Sequence, residues 1–234
     1  MRYMGNKAKL AARILSIVLR DRRPDQWYVE PFAGGMNMIC RVGGPRIGND
    51  SHGPLVAMWK AVQEGWQPPT IVTKQMYYWV KERQESLPQH LVGFVGFLCS
   101  FGGKWWGGYA FDAVTGRNYA AEGCRAIDKQ RAGIRGVRFE SVSYDALRLP
   151  KGSVVYCDPP YAETTEYENR FNYVEFWKWV RRISATGHTV FVSEYAAPSD
   201  FECVLEIPYT STMNRSKKDP KTERLFRLRG NNVA

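Results

Sequence analysis

Trp27-Tyr28-Val29-Glu30-Pro31-Phe32-Ala33-Gly34-Gly35 reads as a short apolar strand that runs into a proline and then a turn of small residues. A helix is expected from about Met36. A second strand, Arg46 to Gly48, ends on Asn49-Asp50, and Pro54 to Glu64 reads as a helix with proline in its first turn. Strand, helix, strand, helix in succession implies parallel β-α-β units, and so an α/β sheet. Upstream, residues from about Asn6 to Arg20 read as an amphipathic helix. Leu10, Ile14, Ile17 and Val18 share one face, and Asn6 is placed to cap its start.

The alternation breaks at Gln67-Pro68-Pro69 and resumes near Phe139 to Val142. Between them, Tyr77 to Glu85 reads as helical and Leu91 to Phe101 is apolar but contains glycine. Phe101-Gly102-Gly103-Lys104-Trp105-Trp106-Gly107-Gly108-Tyr109 is rich in glycine and aromatics, and six Lys and Arg residues lie from Arg117 to Arg138. Residues 69–136 therefore read as an insertion into a core made of 1–68 and 137–234. Later strands are expected at Val154 to Cys157, Thr189 to Ser193, Val204 to Ile207 and Glu223 to Leu228, with a helix from Tyr173 to Ile183.

Val154-Val155-Tyr156-Cys157 leads directly into Asp158-Pro159-Pro160-Tyr161. In an open parallel sheet the carboxyl ends of the strands are where ligands bind. Two prolines give up two N–H donors and stiffen the turn, while their carbonyls stay free to accept. A carboxylate, a fixed carbonyl and an aromatic face suit a planar group bearing an –NH2, which describes a nucleobase. Asp50 lies 20 residues after Glu30, a spacing at which an acid accepts hydrogen bonds from a ribose diol. Neither Gly-x-Gly-x-x-Gly nor a Walker-type glycine loop is present, which disfavours dinucleotides and nucleoside triphosphates.

Composition narrows the partners. The 234 residues are 44% hydrophobic, enough for a large core, and 14% aromatic with eight Trp, at a net charge of +10. A basic, aromatic-rich chain favours nucleic acid before membrane. Five cysteines without Cys-x-x-Cys and three scattered histidines argue against a disulfide framework and against a bound metal. The apolar runs are too short to span a bilayer. A reducing, cytoplasmic setting is expected.

Four stretches, in this order, resemble the Dam-like DNA adenine-N6 methyltransferases (D12 class, alpha group). They are Arg2-Tyr3-Met4-Gly5-Asn6-Lys7, Glu30-Pro31-Phe32-Ala33-Gly34-Gly35, Asn49-Asp50, and Ser143-Tyr144 followed by Asp158-Pro159-Pro160-Tyr161. The Gly-Gly-Lys-Trp-Trp-Gly-Gly-Tyr stretch is similar to phage or prophage members. The resemblance implies a Rossmann-like class I methyltransferase fold, with a mostly parallel sheet, an antiparallel last strand and a mainly helical inserted target-recognition region. It implies S-adenosyl-L-methionine as cofactor, held by Tyr3, Lys7, Phe32, Ala33, Gly34, Asp50, Ser143, Tyr144 and Asp158. Asp158, Pro159, Pro160 and Tyr161 would then be catalytic, turning the exocyclic amine of a flipped adenine towards the methyl group.

Double-stranded DNA is the implied partner, of a monomer or weak dimer, in a phage-infected or bacterial cytoplasm and in a restriction-modification setting. Lys104, Arg117 and Arg125 in the insertion, then Arg215, Lys217 and Lys218 in a late basic loop, are the candidate DNA contacts. Cytosine-N4 methylation and a DNA-binding protein without turnover are the other readings. Two departures bear on the last: Met36 replaces the family's second glycine, and Ser51-His52 follows Asp50. None of the cysteines follows a proline, which speaks against a cytosine-C5 mechanism, and Cys157 reads as a strand residue.

Overall fold

The computed structural model describes residues 1, 3, 6–112, 114–160, 171–210 and 220–230. The chain begins with α1 (Ala11–Val18), β1 (Tyr28–Glu30), β2 (Arg46–Asn49) and α2 (Gly53–Gln63). Then come α3 (Lys74–Glu82), α4 (Gln89–Leu98), α5 (Tyr119–Arg131) and β3 (Val137–Glu140). It continues through β4 (Val154–Cys157), α6 (Tyr173–Ala185), β5 (Thr189–Glu194), β6 (Phe201–Thr210) and β7 (Pro220–Leu228). The strands form one seven-stranded sheet in the order β3-β2-β1-β4-β5-β7-β6. The β1–β2, β1–β4, β2–β3 and β4–β5 pairs are parallel, and β7 runs antiparallel to both β5 and β6. This is the α/β, Rossmann-like arrangement expected, with its antiparallel last strand.

Alternating side chains of the central strands β1, β4 and β5 feed two apolar cores, as a pleated strand buried on both faces requires. Tyr28, Val154 and Tyr156 enter the core built with α1, α2, α4 and α5, whereas Val29, Val155 and Cys157 enter the core covered by α6. From α6, Phe176, Trp177, Trp179, Val180 and Ile183 face this second core.

Two expectations near the N-terminus change. Asn6 Oδ1 accepts from the Ala8 amide at 2.7 Å and makes a turn, and the helix begins only at Ala11, with no side-chain cap. The helix expected from Met36 is a single 3-10 turn, Ile39–Arg41. Gly34 (φ 45°) and Met36 (φ 55°) are both left-handed, which no right-handed helix tolerates. The buried Arg46 offsets the missing helix. Its guanidinium donates to the carbonyls of Ile39, Val42, Gly44, Gly133 and Arg135.

The segment between α2 and β3 packs through its small residues. At Gly93 on α4, an added Cβ would overlap the backbone of Pro54 at the start of α2, so glycine sets how closely the two helices approach. Gly96 seats the ring of Trp105, and Gly123 on α5 seats Leu98. Trp105 and Trp106 pack against the core shared with α1 and α2, with ring centroids 5.0 Å apart, and Trp106 Nε1 donates to Gln84 Oε1 at 3.0 Å. The glycines that weakened a helical reading of Leu91 to Phe101 are therefore contact points.

Candidate active site

The parallel strands β1, β2, β4 and β5 all end at one edge of the sheet. There the loops Phe32-Ala33-Gly34, Asn49-Asp50 and Asp158-Pro159-Pro160 leave it, together with Glu194. Strand order reverses between β1 and β4, which makes this edge the switch-point crevice of an open α/β sheet.

Asp50 organises the first two loops. Its Oδ2 accepts from the Gly34 amide at 3.0 Å and its Oδ1 from the His52 amide at 2.9 Å. Each carboxylate oxygen offers two acceptor directions, so each retains one beyond its amide bond. Burial of the group raises its pKa, and the two amide bonds oppose that shift. The Tyr3 ring lies against Gly34: a Cβ there would come within 2.7 Å of Tyr3 Cε1, so only glycine leaves room for the ring. The Ala33 amide donates to the Asn49 carbonyl at 2.8 Å, and Trp59 Nε1 donates to the Gly34 carbonyl at 3.2 Å.

Asn49 is fully buried. It donates to the carbonyls of Pro31 (2.9 Å) and Val142 (3.0 Å), and its Oδ1 accepts from the Val142 amide at 3.1 Å. One side chain thus ties the β1 loop to the segment carrying Ser143 and Tyr144. Phe32 and Tyr144 meet at 5.3 Å between centroids, and Phe171 completes the cluster at 5.7 Å from each. Ser143 Oγ is turned to Asp145 Oδ1. Sequence reading singled out neither Asn49 as a link nor Phe171. The signal for the latter was an aromatic directly before Asn172, whose side chain caps α6 by accepting from the Glu175 amide at 3.1 Å.

Asp158 sits at the end of β4 with its side chain 19% exposed. Lys7 Nζ lies 3.4 Å from its Oδ1 and 3.0 Å from Glu223 Oε2 on β7. Lys7 and Glu223 are 6% and 2% exposed, so the pair lies in protein rather than in water. Beneath it, Tyr28 OH donates to Glu30 Oε1 at 2.8 Å. Burial pushes the Glu30 carboxyl up to about 8; the Tyr28 bond opposes this, and the nearby charge of Asp158 adds to it. Cys157 is buried in the α6-side core with its pKa pushed well up by burial, so it holds its proton and is no nucleophile.

The candidate DNA contacts lie elsewhere. Lys104 follows the 3-10 turn Phe101–Gly103, and Arg125 is exposed on α5. Arg117 is paired with Glu122 through two bonds of 2.8 Å, with its guanidinium 5.1 Å from the Tyr119 ring. Tyr161, Arg215, Lys217 and Lys218 fall outside the described residues, as do Arg2, Met4 and Gly5. Among the described residues no group of three His, Cys, Asp or Glu side chains is placed to hold a metal ion, and no helix is long and apolar enough to cross a membrane.

The family model for D12 class N6 adenine-specific DNA methyltransferases matches residues 3–90, the span that holds Tyr3, Lys7, the Phe32–Gly34 turn and Asp50. The resemblance read from the sequence is borne out over that span. Among solved structures, the chain is similar to SMU.472, a candidate methyltransferase crystallised in complex with SAH. Identity is 13% and the TM-score 0.40, over 97% of this chain and 54% of the other, so the chain spans about half of that structure's length.

Proposed function

We propose that this chain is a site-specific DNA adenine-N6 methyltransferase that uses S-adenosyl-L-methionine. The observation that carries the reading is the placement of Asp158 and its two prolines at the β4 end, across the switch point from the Asp50–Gly34 loop. The D12-class match over residues 3–90 supports adenine in DNA as the substrate.

The residues fit such a cofactor. The free acceptor directions of Asp50 suit ribose hydroxyls, and the Phe32–Tyr144–Phe171 cluster offers aromatic faces to a purine. When bound, the cofactor supplies a methyl group on a sulfonium, an activated donor with a good leaving group. The adenine amine is a poor nucleophile because its lone pair is delocalised into the ring. Asp158 and the Pro159 carbonyl each accept one amine hydrogen, which aims the nitrogen lone pair at the methyl; the surplus proton on N6 after transfer leaves through Asp158 to water, and positioning does most of the work. Lys7 gives the Asp158 carboxylate an opposite charge at 3.4 Å. The aromatic side chain of Tyr161 is of the type that would stack on the base. The base leaves the duplex at a cost of a few kcal/mol, offset in part by Lys and Arg contacts to phosphate. Residues 69–136 serve as the target-recognition region, with Lys104 and Arg125 facing the DNA.

Purified chain, labelled cofactor and duplex DNA test the reading. Nucleoside chromatography is expected to give N6-methyladenine, and Asp158→Ala to abolish transfer while cofactor binding, read by calorimetry, persists in part. N4-methylcytosine as the product would replace the adenine assignment, and full activity of Asp158→Ala would overturn the mechanism.

A further inference from the structure

We propose that Tyr173 and Glu194 are positioning residues for the Asp158–Pro160 turn, acting as a bracket whose grip on the Pro160 carbonyl depends on a proton carried by Glu194. The inference rests on the methyl-transfer reading and extends it to residues that no motif names.

The Tyr173 hydroxyl, from the first turn of α6, contacts two acceptors at once: the Pro160 carbonyl and Glu194 Oε2, the latter at 2.9 Å. A phenol has one proton to give. One phenol proton shared between the two acceptors gives two weakened contacts; two full hydrogen bonds coexist only when Glu194 is protonated and donates to the phenol oxygen, which leaves the phenol proton for Pro160. Once Glu194 is ionised, the carboxylate is the stronger acceptor. It becomes the phenol's hydrogen-bond acceptor, and the Pro160 carbonyl loses the donor that it has among the described residues. Pro160 adjoins Pro159, whose carbonyl accepts the amine hydrogen, so loosening one peptide unit displaces the other.

The setting raises the carboxyl's affinity for that proton. Glu194 is 5% exposed at the end of β5, and burial raises its pKa, with Glu223 adding to the shift. The Tyr195 amide, donating to Oε1 at 2.7 Å, the Tyr173 bond and the Lys7 ammonium all act in the opposite sense. Asp158 faces the Tyr173 side of the bracket. Arg224, opposite Glu194 in the β5–β7 ladder, is turned to the Tyr195 carbonyl (2.9 Å) and to Glu206 (2.8 Å).

The test is the pH dependence of kcat and KM for the wild type, Tyr173→Phe and Glu194→Gln. Tyr173→Phe is expected to lower kcat about tenfold, the loss of one hydrogen bond in the aligned state, with KM for the cofactor unchanged. The wild type is expected to lose kcat as pH rises through the Glu194 transition. Glu194→Gln, whose amide always donates to the phenol, lacks that alkaline fall and exceeds the wild type at high pH. A Tyr173→Phe enzyme with wild-type kcat, or a Glu194→Gln enzyme with the wild-type pH profile, overturns the bracket. Carbon-13 NMR decides the question independently of turnover. A Glu194 carboxyl titrating above the ordinary glutamate range supports the bracket even if the chain transfers no methyl group, an outcome that would count against the proposed function alone. Titration in the ordinary range refutes the bracket.

Discussion

Glu30 shows how one side chain sets a pH dependence. Its carboxyl stands near 8 in the folded chain against an ordinary value of 4.5. Between those values the folded chain holds a proton that the unfolded chain releases, so stability falls as pH rises from about 4.5 to about 8 and is flat on either side. Glu30→Gln keeps an acceptor for Tyr28 without the proton. It is expected to be more stable than the wild type at pH 8, by on the order of a few kcal/mol, and to converge with it near pH 4.5; urea melts at the two pH values measure the difference. Met36 poses the opposite question. Its left-handed backbone costs about 1–2 kcal/mol for a non-glycine residue, which glycine would recover. Its side chain, however, is fully buried, and truncating a buried Met costs about 2–5 kcal/mol. The cavity term wins, and Met36→Gly is expected to destabilise by about 1–3 kcal/mol in the same melts. The sequence revealed that Met36 departs from the family's glycine. That the backbone keeps the glycine conformation regardless is a fact of packing, set by the Tyr3 ring over Gly34 and the core around Met36, and no local pattern encodes it.

Elements were legible where their own punctuation is strong. Val154–Cys157 between turn residues and Asp-Pro-Pro, and the proline-led helix after Asp50, fall within a residue or so of the expected bounds. Legibility failed where a distant partner decides. The stretch after Gly35 has helical composition but cannot form an α-helix behind two left-handed residues. Its carbonyls left without helical partners are satisfied instead by Arg46, from the following strand. Glycines in α4 lowered its apparent propensity, yet they are what lets α2 and Trp105 come close. The site was legible in the same uneven way: Asn49-Asp50 and Asp158 stand at strand ends, whereas Phe171, Tyr173 and Glu194 are joined to it only by the fold. Arg46 gives the element-scale prediction. Lysine at this position is a point donor on a flexible stem and cannot reach five carbonyls spread over two segments. Arg46→Lys strands at least two of them, at about 1–3 kcal/mol each. A loss of about 3 kcal/mol is expected, with faster amide exchange concentrated at residues 39–46 and 133–137.

At the scale of the molecule, a net charge of +10 and an ion pair between distant chain segments carry the argument. If the basic chain binds duplex DNA as proposed, its Lys and Arg contacts to phosphate release counterions. With a few phosphate contacts, raising salt from about 50 to about 200 mM is expected to weaken binding about 10- to 100-fold, read by fluorescence anisotropy; affinity independent of salt would remove phosphate pairing from the proposal. The ion pair has wider consequences. Lys7 lies ahead of α1, Asp158 ends β4 and Glu223 belongs to the last strand, β7, so one buried ammonium ties the beginning of the described chain to its end through the centre of the candidate site. Buried pairs seldom stabilise more than apolar side chains of equal volume, but removing one partner alone costs about 3–5 kcal/mol, because a charge is left in protein. Lys7→Met is therefore expected to cost that much, Glu223→Gln less, and Lys7→Met with Glu223→Gln together less than Lys7→Met alone. The double-mutant cycle from urea melts should give a coupling above about 1 kcal/mol. Simple additivity would mean that the two groups do not act as a pair, and that the first segment is held over the sheet by apolar contacts such as Tyr3 on Gly34. Strong coupling places the anchor at Lys7, and makes the position of Asp158 depend on the pairing of the last strand.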